Sequence, residues 1–126
     1  MRILLVDDEV ELVATLAERL TLRGLQTDWA GSPADALNLA RQQRYDIAVV
    51  DMKMPKINGR ELMRIMRVQY PWMHFIFMSG QKNAAASQDE PHETDGKLCY
   101  LLKPVDIEVL IDTINCEATG SQIRGE

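Results

Sequence analysis

Four short apolar runs of this chain end in side chains that could bind a metal ion and a phosphate group together. Asp7 and Asp8 follow ILLV, and Asp51 follows IAVV. Ser79 follows FIFM, and Lys103 follows CYLL. Carboxylate oxygens suit Mg²⁺, which typically takes one or two carboxylates together with phosphate oxygens. A hydroxyl and an ammonium could bind the anion beside that metal, so these residue types predict a site that receives a phosphoryl group.

The apolar runs before these residues are predicted β-strands. They are short and rich in β-branched and aromatic residues, and amphipathic stretches with helical spacing separate them. Such alternation is typical of a parallel sheet with helices on both faces. We expect the strands at residues 3–6, 25–29, 45–51, 73–78 and 98–102.

The predicted sheet explains why the polar residues would meet. In a parallel sheet the carboxyl ends of all strands share one edge, and ligands bind in the crevice there. Taken singly, each residue has an ordinary structural interpretation, since an acid after a strand often caps the next helix. Asp8 or Glu9 could do only that. The combination at four strand ends is what predicts a functional site.

The amphipathic stretches have recognisable limits. Gly24 is predicted to end the first helix, Ser32 to cap the second, and Pro71 to end the third. The final helix is predicted to begin near Asp106. The inward stripe of the third helix is predicted to be Leu62, Ile65, Met66 and Val68.

Residues 81–97 do not fit the alternation. Their only apolar side chains are three alanines, and Pro91 interrupts the segment. The helix expected here, the fourth, is therefore predicted to be short or poorly ordered, near residues 83–89, and followed by a loop.

Composition restricts the class of protein. The 126 residues suit one domain, with 46% apolar and 26% charged residues. There is neither an apolar run of ~20 residues nor a signal-peptide pattern, so we expect a cytoplasmic protein without a membrane segment. The net charge of −5 argues against direct nucleic-acid binding. Two cysteines are too few for a disulfide scaffold.

The segments LLVDDE, VVDMKMP, FMSG and LLKP, in this order, resemble the receiver domain of two-component response regulators. The resemblance covers residues 1 to about 117. It implies a chemotaxis-type receiver fold, a doubly wound α/β structure whose five-stranded parallel sheet has the flavodoxin-like order 2-1-3-4-5. It also implies a receiver domain at residues 1–117 and a polar tail at residues 118–126.

The resemblance assigns a Mg²⁺ site and a phosphoacceptor. Asp51 is implied to accept the phosphoryl group and to bind the metal. Asp8 is implied to bind Mg²⁺ directly, and Asp7 to act through a metal-bound water. The remaining protein ligand would be the backbone carbonyl of Lys53.

The same resemblance assigns the groups around the phosphate. Ser79 and Lys103 would each bind a phosphoryl oxygen. Ser79 and Tyr100 would form the switch that responds to phosphorylation. The side chains of Lys53 and Gln81 would flank the path of an attacking water and set the lifetime of the phosphate, although both could equally be solvated loop residues.

The function implied is that of a phosphoacceptor in a phosphorelay. The partners would be a sensor histidine kinase or a phosphotransfer protein and an unidentified downstream protein, and the chain would be a monomer or weak dimer. It would be no enzyme beyond catalysing its own phosphorylation and dephosphorylation. A degenerate receiver that only binds partners remains an alternative. A small Mg²⁺-dependent phosphohydrolase is disfavoured, because Lys53 occupies the position where a second acid is usual.

Overall fold

The computed structural model describes residues 1–80 and 99–119. Its strands are β1 (Arg2–Val6), β2 (Gln26–Ala30), β3 (Ile47–Asp51), β4 (His74–Ser79) and β5 (Cys99–Leu102). The helices formed by these residues are α1 (Val10–Leu22), α2 (Pro33–Gln42), α3 (Gly59–Gln69) and α4 (Ile107–Thr119). All strand pairings are parallel, and the order across the sheet is β2-β1-β3-β4-β5.

The sheet is buried on both faces, which is why its central strands are almost continuously apolar. All five residues of β3 are buried. Because successive strand residues point to opposite faces, the core divides into two clusters. Leu4 and Val50 pack on the side of α2 and α3. Leu5 and Val49 pack on the side of α1 and α4.

The helices begin where the sequence supplies caps. The Ser32 hydroxyl accepts a hydrogen bond of 3.1 Å from the backbone N–H of Asp35 at the start of α2. At the start of α3, Asn58 and Glu61 form a reciprocal capping box, with bonds of 2.9 and 3.1 Å between each side chain and the other's backbone N–H. These caps fix the entry of the chain from the loops that border the carboxyl edge of the sheet.

The inward stripe predicted for α3 was wrong in two positions. Leu62 and Met66 are buried as expected, but Ile65 is 41% exposed and Val68 is 82% exposed. Met63 is buried in their place. Positions 59, 62, 63 and 66 lie on one side of a helix with 3.6 residues per turn, whereas positions 65 and 68 lie on the other side.

The predicted fold class and strand order are confirmed. The strand limits differ from expectation by one or two residues, the usual uncertainty at element ends. The short helix predicted near residues 83–89 lies outside the described residues. The last described helix, α4, is a different one and continues to Thr119. No helix within the described part of the chain has both the length and the apolar content needed to cross a membrane.

Candidate functional site

The strand ends meet at one edge because the backbone pairing continues past them. The N–H of Asp7 donates to the carbonyl of Ala30 at 3.1 Å, which carries β1 pairing beyond its last residue. The N–H of Lys103 likewise donates to the carbonyl of Ser79 at 2.8 Å. Asp51 is itself paired with Met78 of β4. The residues that the sequence placed after four different strands therefore lie side by side.

Three carboxylates converge at this edge. Asp7, Asp8 and Asp51 each place a carboxylate oxygen within 4.8 Å of the others. Asp7 is fully buried and Asp51 is only 5% exposed, whereas Asp8 faces solvent. Asp7 Oδ1 accepts a hydrogen bond of 2.9 Å from the backbone N–H of Glu9. Its Oδ2 is buried too, and the ammonium of Lys103 lies 2.9 Å from it.

The ammonium group of Lys103 lies between the acidic side chains. Its Nζ is 2.9 Å from Asp7 Oδ2, 3.2 Å from Glu9 Oε1 and 3.4 Å from Asp51 Oδ1. Burial alone would lower the pKa of Lys103, but its contacts with Asp7, Asp51 and Glu9 outweigh burial and raise that pKa. Lys103 therefore keeps its positive charge throughout the physiological pH range.

The surroundings of Asp51 disfavour the ionised form of its carboxyl group. Burial, followed by the negative charge of Asp7, raises the pKa of Asp51 to about 6. Lys103 and the backbone N–H of Lys53 act in the opposite direction without cancelling these effects. A divalent cation at the carboxylates would favour the ionised form of Asp51.

The donor set fits a hard divalent cation such as Mg²⁺. All three side chains offer carboxylate oxygens, and one ammonium opposes four acidic side chains when Glu9 is included. The buried Oδ2 of Asp7 has unused acceptor capacity. Such a cation binds through one or two carboxylates and keeps several waters, so the open side at Asp8 suits it.

The predicted switch and loop residues occupy distinct places. Ser79 is 5% exposed, and its hydroxyl donates to the carbonyl of Gly80 at 3.3 Å. Tyr100 is 39% exposed, and its ring stacks on Phe77 with centroids 5.5 Å apart. The side chain of Lys53 is exposed, while its N–H donates to Asp51 Oδ1 at 3.4 Å. Gln81 lies outside the described residues.

Glu9 has a role that reasoning from the sequence missed. It occupies the N-cap position of α1, but its side chain makes no capping hydrogen bond. The carboxylate instead contacts Lys103 at 3.2 Å. Its position directly after Asp7 and Asp8 was the only sign of this contact in the sequence. Its partner, Lys103, lies 94 positions away in the chain.

The family model for the response regulator receiver domain matches residues 3–115, nearly all of the chain. The chain belongs to the response regulator receiver domain family. Domains of this family are signalling modules that interact with histidine kinases and phosphotransfer proteins.

Individual relatives agree with this assignment. Sporulation initiation phosphotransferase F of Bacillus subtilis is 29% identical over 113 residues, which cover 90% of each chain. The alginate biosynthesis regulator AlgB of Pseudomonas aeruginosa is 32% identical over 103 residues, 82% of this chain but 22% of that protein. The receiver domain of the hybrid histidine kinase CckA superimposes with a TM-score of 0.74 at 26% identity, covering 91% of this chain and 96% of that one. The receiver domain thus spans about a fifth of the AlgB regulators that it matches.

The raised pKa of Asp51 predicts how pH changes the stability of this receiver domain. The pKa is about 6 in the folded protein against an ordinary value of 3.8. The stabilisation from protonated Asp51 is therefore fully present below about pH 4 and is lost as pH rises through about 6. Because the site is open to water on one side, we expect a loss of only about 1–2 kcal/mol.

Urea unfolding in EDTA between about pH 5 and pH 8 tests this prediction. The difference in unfolding free energy between the wild type and Asp51→Asn measures what the ionisation of Asp51 contributes. The variant is expected to gain stability relative to the wild type as pH rises, because asparagine does not ionise. A difference that stays constant across the range would contradict the assigned pKa.

Gly59, the first residue of α3, approaches the end of β3 closely. A Cβ atom added at Gly59 would lie 2.5 Å from the carbonyl oxygen of Asp51 and 3.1 Å from a methyl group of Val50. The first of these is a backbone atom of the central strand, which cannot move without shifting Asp51. Glycine is therefore required here by contact with the site.

We expect Gly59→Ala to lower the free energy of unfolding by about 2 kcal/mol, as overpacking does. Displacement of Asp51 should also slow phosphoryl uptake from a small phosphodonor. Gly24→Ala is a matched control, because that position is open but has a φ of 91°. The control should cost about 1 kcal/mol through backbone strain and leave uptake unchanged. Equal uptake in both variants would contradict the importance of the Gly59 contact.

Proposed function

We propose that Asp51 is the phosphoacceptor of this receiver domain. The observation that carries the proposal is the position of its buried carboxylate, 3.4 Å from the Lys103 ammonium and among the acids that would hold Mg²⁺. In the proposed reaction an oxygen of Asp51 attacks the phosphorus of a phosphohistidine. The new O–P bond forms as the P–N bond breaks, and the electron pair leaves with the imidazole.

The surrounding residues act by positioning and by neutralising charge. Asp8 and Asp51 would bind Mg²⁺ directly, Asp7 through a water, and Lys53 through its backbone carbonyl. When bound, Mg²⁺ supplies positive charge next to the phosphoryl oxygens. Lys103, whose ammonium lies 3.4 Å from Asp51 Oδ1, would bind one of those oxygens.

Ser79 and Tyr100 form the proposed switch. The Ser79 hydroxyl is bonded to the carbonyl of Gly80, and the Tyr100 ring is partly exposed against Phe77. Both arrangements suit the unphosphorylated state. A phosphoryl group adds about −1.5 to −2 charges and new acceptor oxygens, so Ser79 would turn towards it and vacate space into which Tyr100 rotates.

The lifetime of the phosphate is proposed to depend on Lys53 and Gln81, whose side chains would flank an incoming water. Loss of phosphate would regenerate Asp51, so the protein would catalyse reactions only of its own carboxylate. The phosphotransferase from Bacillus subtilis, matched over 90% of each chain, favours a relay role. We propose transfer with a histidine kinase or phosphotransfer protein, a downstream protein target, no direct contact with nucleic acid, and a monomer or weak dimer.

Phosphorylation with a small donor tests the function. After incubation with Mg²⁺ and acetyl phosphate, intact-mass measurement is expected to show one added phosphoryl group, whereas EDTA should prevent it. A receiver with very rapid loss of phosphate would show no adduct but would still bind beryllofluoride in the presence of Mg²⁺. Failure of both would sink the proposed function and leave the phosphorylation-independent binding module.

A further inference from the structure

The ammonium group of Lys103 is surrounded by acids before any phosphoryl group arrives. Its Nζ lies within 3.4 Å of one carboxylate oxygen from each of Asp7, Glu9 and Asp51. A lysine ammonium has three N–H donors and accepts no hydrogen bond. The donors are therefore as many as the neighbouring carboxylates, and an incoming phosphoryl oxygen must take the place of one of those acids.

The three acids differ in how readily each can leave Lys103. Asp7 is fully buried, so loss of the ammonium would leave a buried negative charge without its cation. Asp51 is the proposed phosphoacceptor and has to stay beside the phosphorus. The side chain of Glu9 is 63% exposed, so water can hydrate its carboxylate as soon as it leaves Lys103. Glu9 is therefore the acid whose replacement requires the least free energy.

The backbone of Glu9 is fixed, whereas its side chain is held only at Lys103. The N–H of Glu9 donates to Asp7 Oδ1 at 2.9 Å, and its carbonyl accepts a bond of 3.0 Å from the N–H of Val13. Although Glu9 is the N-cap of α1, its carboxylate makes no capping bond. Among the described residues that carboxylate contacts only Lys103. Rotation of the side chain therefore releases Lys103 without disturbing the start of α1.

We propose that Glu9 is a displaceable counter-ion, which occupies on Lys103 the place that a phosphoryl oxygen takes after phosphorylation. The proposal rests on the proposed function of Asp51 as phosphoacceptor. Before phosphorylation the Glu9 carboxylate accepts a hydrogen bond of 3.2 Å from the ammonium. When a phosphoryl group arrives, the carboxylate turns into solvent and the ammonium donates to the phosphoryl oxygen instead. No covalent bond changes at either side chain.

Competition for Lys103 has a measurable consequence for anion binding. Glu9 weakens the binding of any phosphoryl-like anion, because part of the binding free energy is used to break the contact between Glu9 and Lys103. Removing the competing carboxylate therefore tightens anion binding. Since the Glu9 side chain is largely exposed, its contact is a weak one, and the expected gain in affinity is about threefold.

Titration of the full chain with beryllofluoride, a tetrahedral anion that resembles a phosphoryl group, tests the proposal. Saturating Mg²⁺ in every sample removes any difference in metal affinity, and amide NMR signals at the carboxyl edge report both binding and the integrity of the fold. Glu9→Gln, which keeps the shape of the side chain without its charge, should bind beryllofluoride about threefold more tightly than the wild type. An unchanged or weaker affinity would overturn the proposal.

Two further variants separate the contact with Lys103 from a general effect of charge. Glu11→Gln removes an exposed charge from the first turn of α1 and should bind like the wild type. Glu9→Asp keeps the charge on a shorter side chain that loses the contact, so it should bind like Glu9→Gln. The proposal is wrong if Glu11→Gln gains as much as Glu9→Gln, or if Glu9→Asp matches the wild type.

Failure of the proposed function gives a different result. If neither the wild type nor any variant binds beryllofluoride in Mg²⁺, the phosphoryl site itself is absent and both proposals fall. If the wild type binds it and Glu9→Gln binds it equally, only the role of Glu9 is overturned.

Discussion

Replacing Asp51 by asparagine is expected to abolish phosphoryl uptake, with the amount of adduct falling by at least about 10³-fold. The amide has almost the same shape as the carboxylate but lacks its negative charge and its nucleophilic oxygen. Asp51 is nearly buried and paired with Met78, so asparagine can occupy its place without disturbing the sheet. Intact-mass measurement after incubation with Mg²⁺ and acetyl phosphate would record the loss.

The same substitution at a remote acid separates this effect from a general loss of charge. Asp35, exposed in the first turn of α2, is suitable, and Asp35→Asn should take up phosphate like the wild type. Asp51→Asn could still take up a phosphoryl group, and peptide mapping could locate that group on another residue. This result would show that the phosphoacceptor has been misassigned. Because asparagine also removes the repulsion with Asp7, the inactive variant should be no less stable than the wild type near neutral pH.

Lys103→Gln is expected to slow phosphoryl uptake by about 10²-fold, the usual effect of losing one group that stabilises transition-state charge. The ammonium contacts Asp7, Glu9 and Asp51 before any phosphate binds. Its loss leaves two nearly buried carboxylates without their positive neighbour, so the pKa of Asp51 should rise above about 6. The rate of uptake should then have its midpoint at a higher pH than in the wild type.

Measurement of uptake rates across pH would distinguish this mechanism from simple misfolding. Lys56→Gln removes a positive charge from the exposed loop after β3 and is a matched control with an expected rate close to that of the wild type. Lys103→Arg tests whether charge alone is enough, and we expect partial recovery because the guanidinium is bulkier and planar. If Lys103→Gln and Lys56→Gln gave the same rate, the position of the ammonium would have no special role.

The fold was largely predictable because its signals are local. The apolar runs, the cap at Ser32 and the stop at Pro71 each act within a few residues, and five alternations left few topologies open. Which side of α3 packs against the sheet was less predictable. Ile65 and Val68 are as apolar as Met63, and only the position of the helix on the sheet determines which of them is covered.

The members of the site could also be named from the sequence, since parallel strands must bring their carboxyl ends to one edge. The contacts between them could not be predicted from the sequence. The pairing of Glu9 with Lys103 joins residues 94 positions apart, and the close approach of Gly59 to the Asp51 carbonyl depends on how α3 packs. Neither leaves a pattern along the chain.

By itself, then, the sequence determined which residues reach the carboxyl edge and what chemistry their side chains allow. Tertiary structure decided their electrostatic state, because the pKa of Asp51 depends on burial and on Asp7, and the charge of Lys103 on three acids around it. It also brought Glu117 into contact with both His74 and Cys99, two residues far from it in the chain. The physical reason is that residue type and periodicity are local properties, whereas desolvation and Coulomb interactions depend on distances that only the folded chain sets.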